Sequence, residues 1–258
     1  MSVYNGSNFL DQAIDSVLKQ TFTDFEFIIV DDTSTDSSLE IISNWALKDS
    51  RIKIIKNNQN LGLTKSLNKA IGQASGEYLA RIDVDDICYP ERLEKQVNFL
   101  DVNQNCALVG SWAEIINDKN DELRTIKYPT APSDLKKDLI KYNPFFHSSV
   151  MMRKKALAEV GLYDESFRFA QDYELYFRIA QKYDIANIPS ILIKYREVRD
   201  SITISKNREQ IGFVIKAKLK VLHSGQYPKW FYIYIIKSYF AWLLPVEIKR
   251  FIKKLFRF

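Results

Sequence analysis

The sequence predicts an α/β protein: a mostly parallel central sheet flanked by helices, then an α+β half, then a helical C-terminal tail. Three observations carry that expectation. Short apolar runs alternate with helically spaced apolar residues through the first 110 positions. The stretches between runs are about 20 residues long, enough for the helical crossovers that parallel strands require. Acidic clusters follow two of the runs, where ligands of open α/β sheets bind.

The elements read in order as follows. Ser2–Tyr4 is the tail of a strand, and Phe9, Leu10, Ala13, Ile14, Val17 and Leu18 mark one helix face. Phe25–Val30 is a buried strand broken by Glu26 alone, and Asp36 can cap the next helix, whose apolar side is Leu39, Ile42 and Trp45. Ile52–Ile55 is a third strand, Leu63–Ala74 a helix ending before Gly76, and Tyr78–Ile82 a fourth strand. Pro90 suits the first residue of the helix that follows. A first strand usually needs about five residues, so here either the strand is short or a few residues precede Met1.

From Ala107 the pattern changes. Strands flank a turn at Asn117–Asp121, a helix spans Ser133–Lys141, a strand Ser148–Arg153 and a helix Asp172–Lys182. The expected organisation is one domain over 1–210, divided into a nucleotide-binding half (1–106) and an α+β half (107–210), with a basic aromatic tail over 211–258.

At 258 residues, 46% hydrophobic and 27% charged, the composition is that of a globular protein with a sizeable core. The two cysteines, Cys88 and Cys106, form neither a disulfide framework nor a metal-spaced cluster, which suits a reducing compartment. No charged-then-apolar leader opens the sequence, so secretion is not expected. The net charge of +5 conceals a split. Residues 211–258 hold ten Lys/Arg against Glu247 alone, while the preceding 210 hold 27 against 31 acids. The tail's cations are interleaved with Trp, Phe, Ile and Leu, which argues against a nucleic-acid partner and for an anionic membrane surface.

Three acidic groups carry the candidate chemistry. Asp31-Asp32 ends the second strand, Asp83-Val84-Asp85-Asp86 ends the fourth, and Asp172 opens a helix. Taken singly, they also admit bland readings, as a capped loop, a solvated turn and a helix N-cap respectively. Right-handed crossovers bring the first two groups to one sheet edge, where clustered carboxylates repel unless a cation intervenes. Oxygen ligands of this kind suit Mg²⁺ or Mn²⁺, and a diphosphate bridging to the metal is a natural ligand.

The chain resembles the family 2 glycosyltransferases, inverting enzymes with the GT-A fold. The matching segments, in family order across roughly residues 1–200, are Met1–Gly6, Val30–Asp36, Asn60-Leu61-Gly62, Ala74–Tyr78, Asp83–Asp86, Pro90–Leu93 and Gln171–Leu175. The resemblance implies a nucleotide-sugar donor, UDP-linked by default, and a saccharide or lipid-linked saccharide acceptor in cell-surface polysaccharide synthesis. It implies donor contacts from Tyr4, Asp31, Asp32 and Asp83, a metal ligand in Asp85, and a catalytic base in Asp172. Gln171 stands where the family often has Glu, and Val198 where it often has His, so the expectation is either that Arg196 or Arg199 takes part of the phosphate contact or that the metal binds more weakly. His147 is expected either to touch donor or acceptor or to be structural.

In the tail, Trp230–Val246 is too short to span a bilayer, which takes about 20 residues. Glu247–Phe258 sets Ile248, Phe251, Ile252 and Leu255 opposite five cations, the pattern of an interfacial helix. The expected location is cytoplasmic, peripheral to the inner face of the cell membrane. Two other readings share these features. A sugar-phosphate nucleotidyltransferase usually needs a glycine-rich, basic phosphate loop after the first strand, and Tyr4–Asn8 offers one glycine and no base. A catalytically impaired nucleotide-sugar-binding protein would bind donor without turnover.

Overall fold

The computed structural model describes residues 1–197, 207–225 and 227–243. They fall in two compact units, 1–198 and 199–258. The first unit runs β1 (Ser2–Val3), α1 (Ser7–Leu18), β2 (Phe27–Asp31), α2 (Ser38–Ala46), β3 (Ile52–Lys56), α3 (Leu63–Gln73), β4 (Tyr78–Ala80), β5 (Ile87–Cys88) and α4 (Arg92–Val102). It continues with β6 (Cys106–Ile116), β7 (Glu122–Ile126), α5 (Pro132–Leu139), β8 (Met151–Arg153), α6 (Lys154–Val160), α7 (Gln171–Lys182) and β9 (Asp184–Arg196).

β1, β2 and β3 form a parallel sheet in that order. All five residues of β2 are buried, as a continuous apolar run covered on both faces requires. Helix α1 buries Leu10, Ala13, Ile14 and Val17 against this sheet, at helical spacing along one face. The second sheet has the order β4-β8-β6-β9-β5, with β7 paired to β6. Within it β6 and β9 are parallel, and the remaining pairs are antiparallel.

Strand β4 departs from the sequence expectation, because it joins the second sheet, antiparallel to β8, instead of the parallel one. With only two residues, β1 offers β4 no ladder to extend. An apolar cleft of about 600 Å³, lined by Met1, Phe27, Leu67, Leu79, Ile82 and Met151 among others, lies between the two sets of strands. Ser148–Arg153 also differs, since a 3₁₀ turn at His147–Ser149 precedes a three-residue β8. Helix α4 begins two residues after Pro90. Strand β9 runs 13 residues through Pro189, and its ladder with β6 shifts register on either side of that proline. A proline at a bulge is tolerated, but it hides the strand from a periodicity reading.

In the second unit α8 (Asn207–His223) packs on α9 (Tyr232–Leu243) after a short 3₁₀ turn at Lys229–Phe231. Lys218 Nζ donates to Ser238 Oγ across this pair (3.1 Å), and Arg208 lies 4.4 Å over the Trp242 ring. Among the described residues no helix is long and apolar enough to cross a membrane. Val198, Arg199 and the amphipathic segment 247–258 lie outside the described residues.

Candidate active site

Four loops meet at the rim where β1, β2 and β4 end. The turn after β1 holds Tyr4, half exposed at 52%, and Asn5 in the left-handed region (φ 53°). Asn5 Oδ1 accepts from Thr35 N (2.8 Å) and Ser7 N donates to Asp36 Oδ2 (3.0 Å), so the loop after β2 wraps this turn. Thr33 in that loop also has positive φ (66°), unusual for a β-branched residue and typical of strain kept at functional loops. Gly6 admits no side chain. A Cβ there would lie 2.4 Å from Val84 Cγ2, so this turn packs directly on the Asp83–Asp86 turn.

Asp31 and Asp32 are both buried at the end of β2. Asp31 Oδ1 accepts from Ser34 N (3.3 Å) and shapes the loop. Both oxygens of the Asp32 carboxylate accept hydrogen bonds from within the protein. Its Oδ1 accepts from Asn57 Nδ2 (2.7 Å) and Leu61 N (2.8 Å), and its Oδ2 from Gly62 N (2.8 Å). Gly62 has φ 82°, a conformation that favours glycine, and it opens α3. Asp32 thus anchors the Asn60–Gly62 turn. From α3, Thr64 Oγ1 donates to Phe167 O (3.0 Å) and Asn68 Nδ2 to Tyr163 O (2.9 Å), tying this side of the rim to the loop that precedes Asp172.

At the end of β4 the chain concentrates charge. Arg81 is 5% exposed and forms an ion pair with Asp83. Burial opposes its charge, but Asp83 beside it more than compensates and keeps the guanidinium protonated. Burial likewise tends to raise the Asp83 carboxyl, yet the Arg81 charge and hydrogen bond prevail and hold it below the usual range. Ser148 Oγ accepts from Asp83 N (2.9 Å) and donates to Asp83 Oδ2 (3.1 Å).

Asp85 and Asp86 lie on the other side of that balance. Burial, then repulsion from Asp83, pushes Asp85 up to about 6. Burial and the charges of Asp85 and Asp83 likewise push Asp86 well above the usual carboxylate range. Asp86 Oδ1 accepts from Arg196 N (2.8 Å), whereas its buried Oδ2 has no hydrogen-bond partner. Ligand atoms from Asp83, Asp85 and Asp86 all lie within 4.8 Å of one another. Mutually repelling carboxylates with a buried, unpartnered oxygen fit a hard divalent cation.

Arg196 is 3% exposed and serves this turn from behind. Its Nε donates to Asp85 O (2.8 Å), its Nη1 to Asn117 O (2.7 Å) and its Nη2 to Asn120 Oδ1 (2.7 Å), and it lies 4.4 Å over the Phe9 ring. The guanidinium is committed to bracing the turn. His147 is half-buried, its Nε2 3.0 Å from Tyr163 OH. Burial, then the Arg81 charge, pulls its pKa well below normal, so the ring is neutral at physiological pH.

Asp172 stands in the first turn of α7, after Ala170 in the left-handed region (φ 55°). Its Oδ2 accepts from Asn143 Nδ2 (2.9 Å). Burial raises its pKa, opposed by backbone N–H bonds, the Arg81 charge and Asn143. Arg81 therefore acts on Asp83, Asp85, His147 and Asp172 alike. The sequence reading passed over Arg81, though a charge inside the apolar run Tyr78–Ile82 was a legible signal. It also passed over Asn143 and Ser148, which no local pattern marks.

Among solved structures, the chain resembles S. aureus TarS 1-349 in complex with UDP-GlcNAc, with TM-score 0.67 and 21% identity over 84% of this chain and 64% of that one. It also resembles the mannosyltransferase PcManGT from Pyrobaculum calidifontis in complex with GDP-Man and Mn²⁺, with TM-score 0.67 and 17% identity over 92% of this chain and 66% of that one. Among sequences, the amylovoran biosynthesis glycosyltransferase AmsE of Erwinia amylovora is 28% identical over 94% of this chain and 91% of its own length. The fold is that of the GT-A glycosyltransferases. The chain belongs to glycosyl transferase family 2, whose family model matches residues 1–161, and it is accordingly a glycosyltransferase.

Proposed function

We propose that this glycosyltransferase is an inverting, metal-dependent enzyme that moves a sugar from a nucleoside-diphosphate donor to an acceptor hydroxyl. The observation that carries the reading is the Asp83, Asp85 and Asp86 cluster, joined through Arg81 and the 143–148 loop to Asp172. Asp85, with its two neighbours, would hold Mn²⁺ or Mg²⁺, whose charge offsets that growing on the departing diphosphate. Asp172 takes the acceptor proton as the acceptor oxygen bonds to the anomeric carbon and the bond to the diphosphate oxygen breaks. A single displacement inverts the anomeric centre. Tyr4 and the loop at Asp31-Asp32 receive the base and ribose, with Asp32 acting by shaping the 60–62 turn. Arg196 braces the acidic turn, and His147 and Arg199 remain candidate contacts to acceptor or phosphate.

UDP is the default nucleotide. The TarS and PcManGT complexes, with UDP-GlcNAc and GDP-Man respectively, support a nucleotide-sugar donor. The test is a panel of UDP-, GDP- and dTDP-sugars, with release of nucleoside diphosphate read with and without Mn²⁺. Asp85→Asn should raise the Mn²⁺ needed for half-maximal release by about 10- to 100-fold. An unchanged metal requirement in that variant would overturn the site.

The acceptor we propose is a lipid-linked saccharide in polysaccharide synthesis, a reading supported by the name of AmsE. We further propose peripheral attachment to the inner face of the cell membrane, a reading supported by the second unit. Trp230 (64% exposed), Ile233, Ile236, Phe240 (61% exposed) and Leu243 recur every three or four residues along α9 and the turn before it. A stripe of this kind, in a tail of ten cations and one acid, suits an anionic lipid interface. Wild type should sediment with phosphatidylglycerol vesicles, and the triple variant Trp230→Ser, Ile236→Ser, Phe240→Ser should stay in the supernatant. Equal sedimentation would refute this docking face.

A further inference from the structure

The loop between α5 and β8 touches both halves of the site within six residues. At one end Asn143 Nδ2 donates to Asp172 Oδ2 (2.9 Å). At the other, Ser148 exchanges two hydrogen bonds with Asp83. The segment between is anchored along its length. Asn187 Nδ2 donates to Pro144 O (3.1 Å), and Ser149 Oγ donates to Phe146 O (2.9 Å). Phe145 packs edge-on against Tyr176 (5.4 Å between centroids), one turn beyond Asp172 on α7. Tyr173, the residue after Asp172, donates its hydroxyl to Leu139 O at the end of α5. Loop and helix are thus latched together around the Asp172 carboxylate.

The Asn143 amide has one orientation available. Its Oδ1 accepts from Phe145 N (3.2 Å) within its own loop, so Nδ2 must face the carboxylate. A bond to one oxygen fixes the carboxylate plane, which a short side chain in the first turn of a helix does not fix unaided. We propose that Asn143 is the positioning residue of the transfer reaction, orienting the Asp172 carboxylate and holding it in the ionised form that accepts the proton. The proposal rests on Asp172 being the base. Asn143 itself does not touch the acceptor. It acts through Asp172, as part of a loop that spaces the base from the acidic turn.

The physical consequence of losing Asn143 is a coupled loss of aim and of the ionised fraction at a given pH. Without the amide donor the ionised carboxylate loses a stabilising bond in a site where burial already favours the protonated form. Asn143→Asp is the sharper variant. It keeps the size and the acceptor for Phe145 N, but sets a like charge against Asp172.

The experiment uses the full chain with Mn²⁺, UDP-GlcNAc and GDP-mannose as donors and water as acceptor, together with ¹³C-detected titration of the aspartate carboxyls. The Asp172 resonance is assigned by its absence in Asp172→Asn. Asn143→Ala should reduce kcat roughly 100-fold, the scale expected for a misaimed catalytic group. UDP affinity should be unchanged, and the Asp172 titration and the acid limb of kcat should both move to higher pH. Asn143→Asp should move them further. If Asn143→Ala loses stability, the isosteric Asn143→Asp decides alone through its titration. An unshifted Asp172 titration in both variants overturns the positioning role. Turnover retained in Asp172→Asn instead overturns the base assignment, so the two failures are distinguishable.

Discussion

Asp172→Asn is expected to lower kcat by about 10²- to 10⁴-fold, the range for removing a positioned general base. Donor and metal affinity should stay at wild-type values, because the acidic cluster at the end of β4 is untouched. Thermal stability should be equal or higher. Burial raises the Asp172 pKa, so the ionised form the reaction needs is the less favourable one in the folded protein. A neutral isostere removes that cost and can still accept from Asn143. Loss of turnover with retained or increased Tm is the signature of a group kept for chemistry at the expense of stability. The pH profile supplies an independent check. The base works deprotonated, so wild-type kcat should rise with pH through a limb above the ordinary carboxylate range. In Asp172→Asn that limb should vanish. Residual activity within tenfold of wild type, or an unaltered limb, would remove Asp172 from the role.

The second large effect concerns stability. Arg81→Met should cost about 3–5 kcal/mol, the usual penalty for stripping the partner from a buried ion pair. On the scale of a few degrees per kcal/mol, that lowers Tm by roughly 10 °C. Arg81 is the buried cation acting on Asp83, Asp85, Asp86 and Asp172, so its loss leaves several acids uncompensated. The sign of the pH dependence follows. Acids whose folded pKa exceeds the unfolded value bind more protons in the folded state, so stability is lost as pH rises through the folded pKa. Asp85, at about 6, already places part of this window between pH 5 and 7 in the wild type. Arg81→Met should deepen it as Asp83 loses its counterion, making the variant most deficient at pH 8 and least so at pH 5. Added Mn²⁺ should restore part of the deficit. A variant with wild-type Tm at pH 8 would show that Asp83 and its neighbours are balanced by something other than Arg81.

Much of the site was legible because its chemistry is acidic and lies directly after apolar runs. Asp31-Asp32 ends β2 and Asp83–Asp86 follows β4, as the runs Phe25–Val30 and Tyr78–Ile82 foretold. The fate of Asp32 was not legible. Its carboxylate is taken up by Asn57, Leu61 and Gly62, donors 25 to 30 residues away. Arg196 turned inward for a similar reason, its fork filled by Asp85 O, Asn117 O and Asn120.

The sequence by itself determined the α/β class, the helix faces of the first half and the family, because periodicity and motif order are local properties of the chain. Only the tertiary structure decided that β4 pairs with β8, that Arg81 lies among four aspartates, and that one loop holds Asp83 and Asp172 together. Strand partners, buried charge balance and a hydrogen bond between positions 143 and 172 depend on which segments meet. That outcome is set by the packing of the whole unit, and no window of sequence contains it.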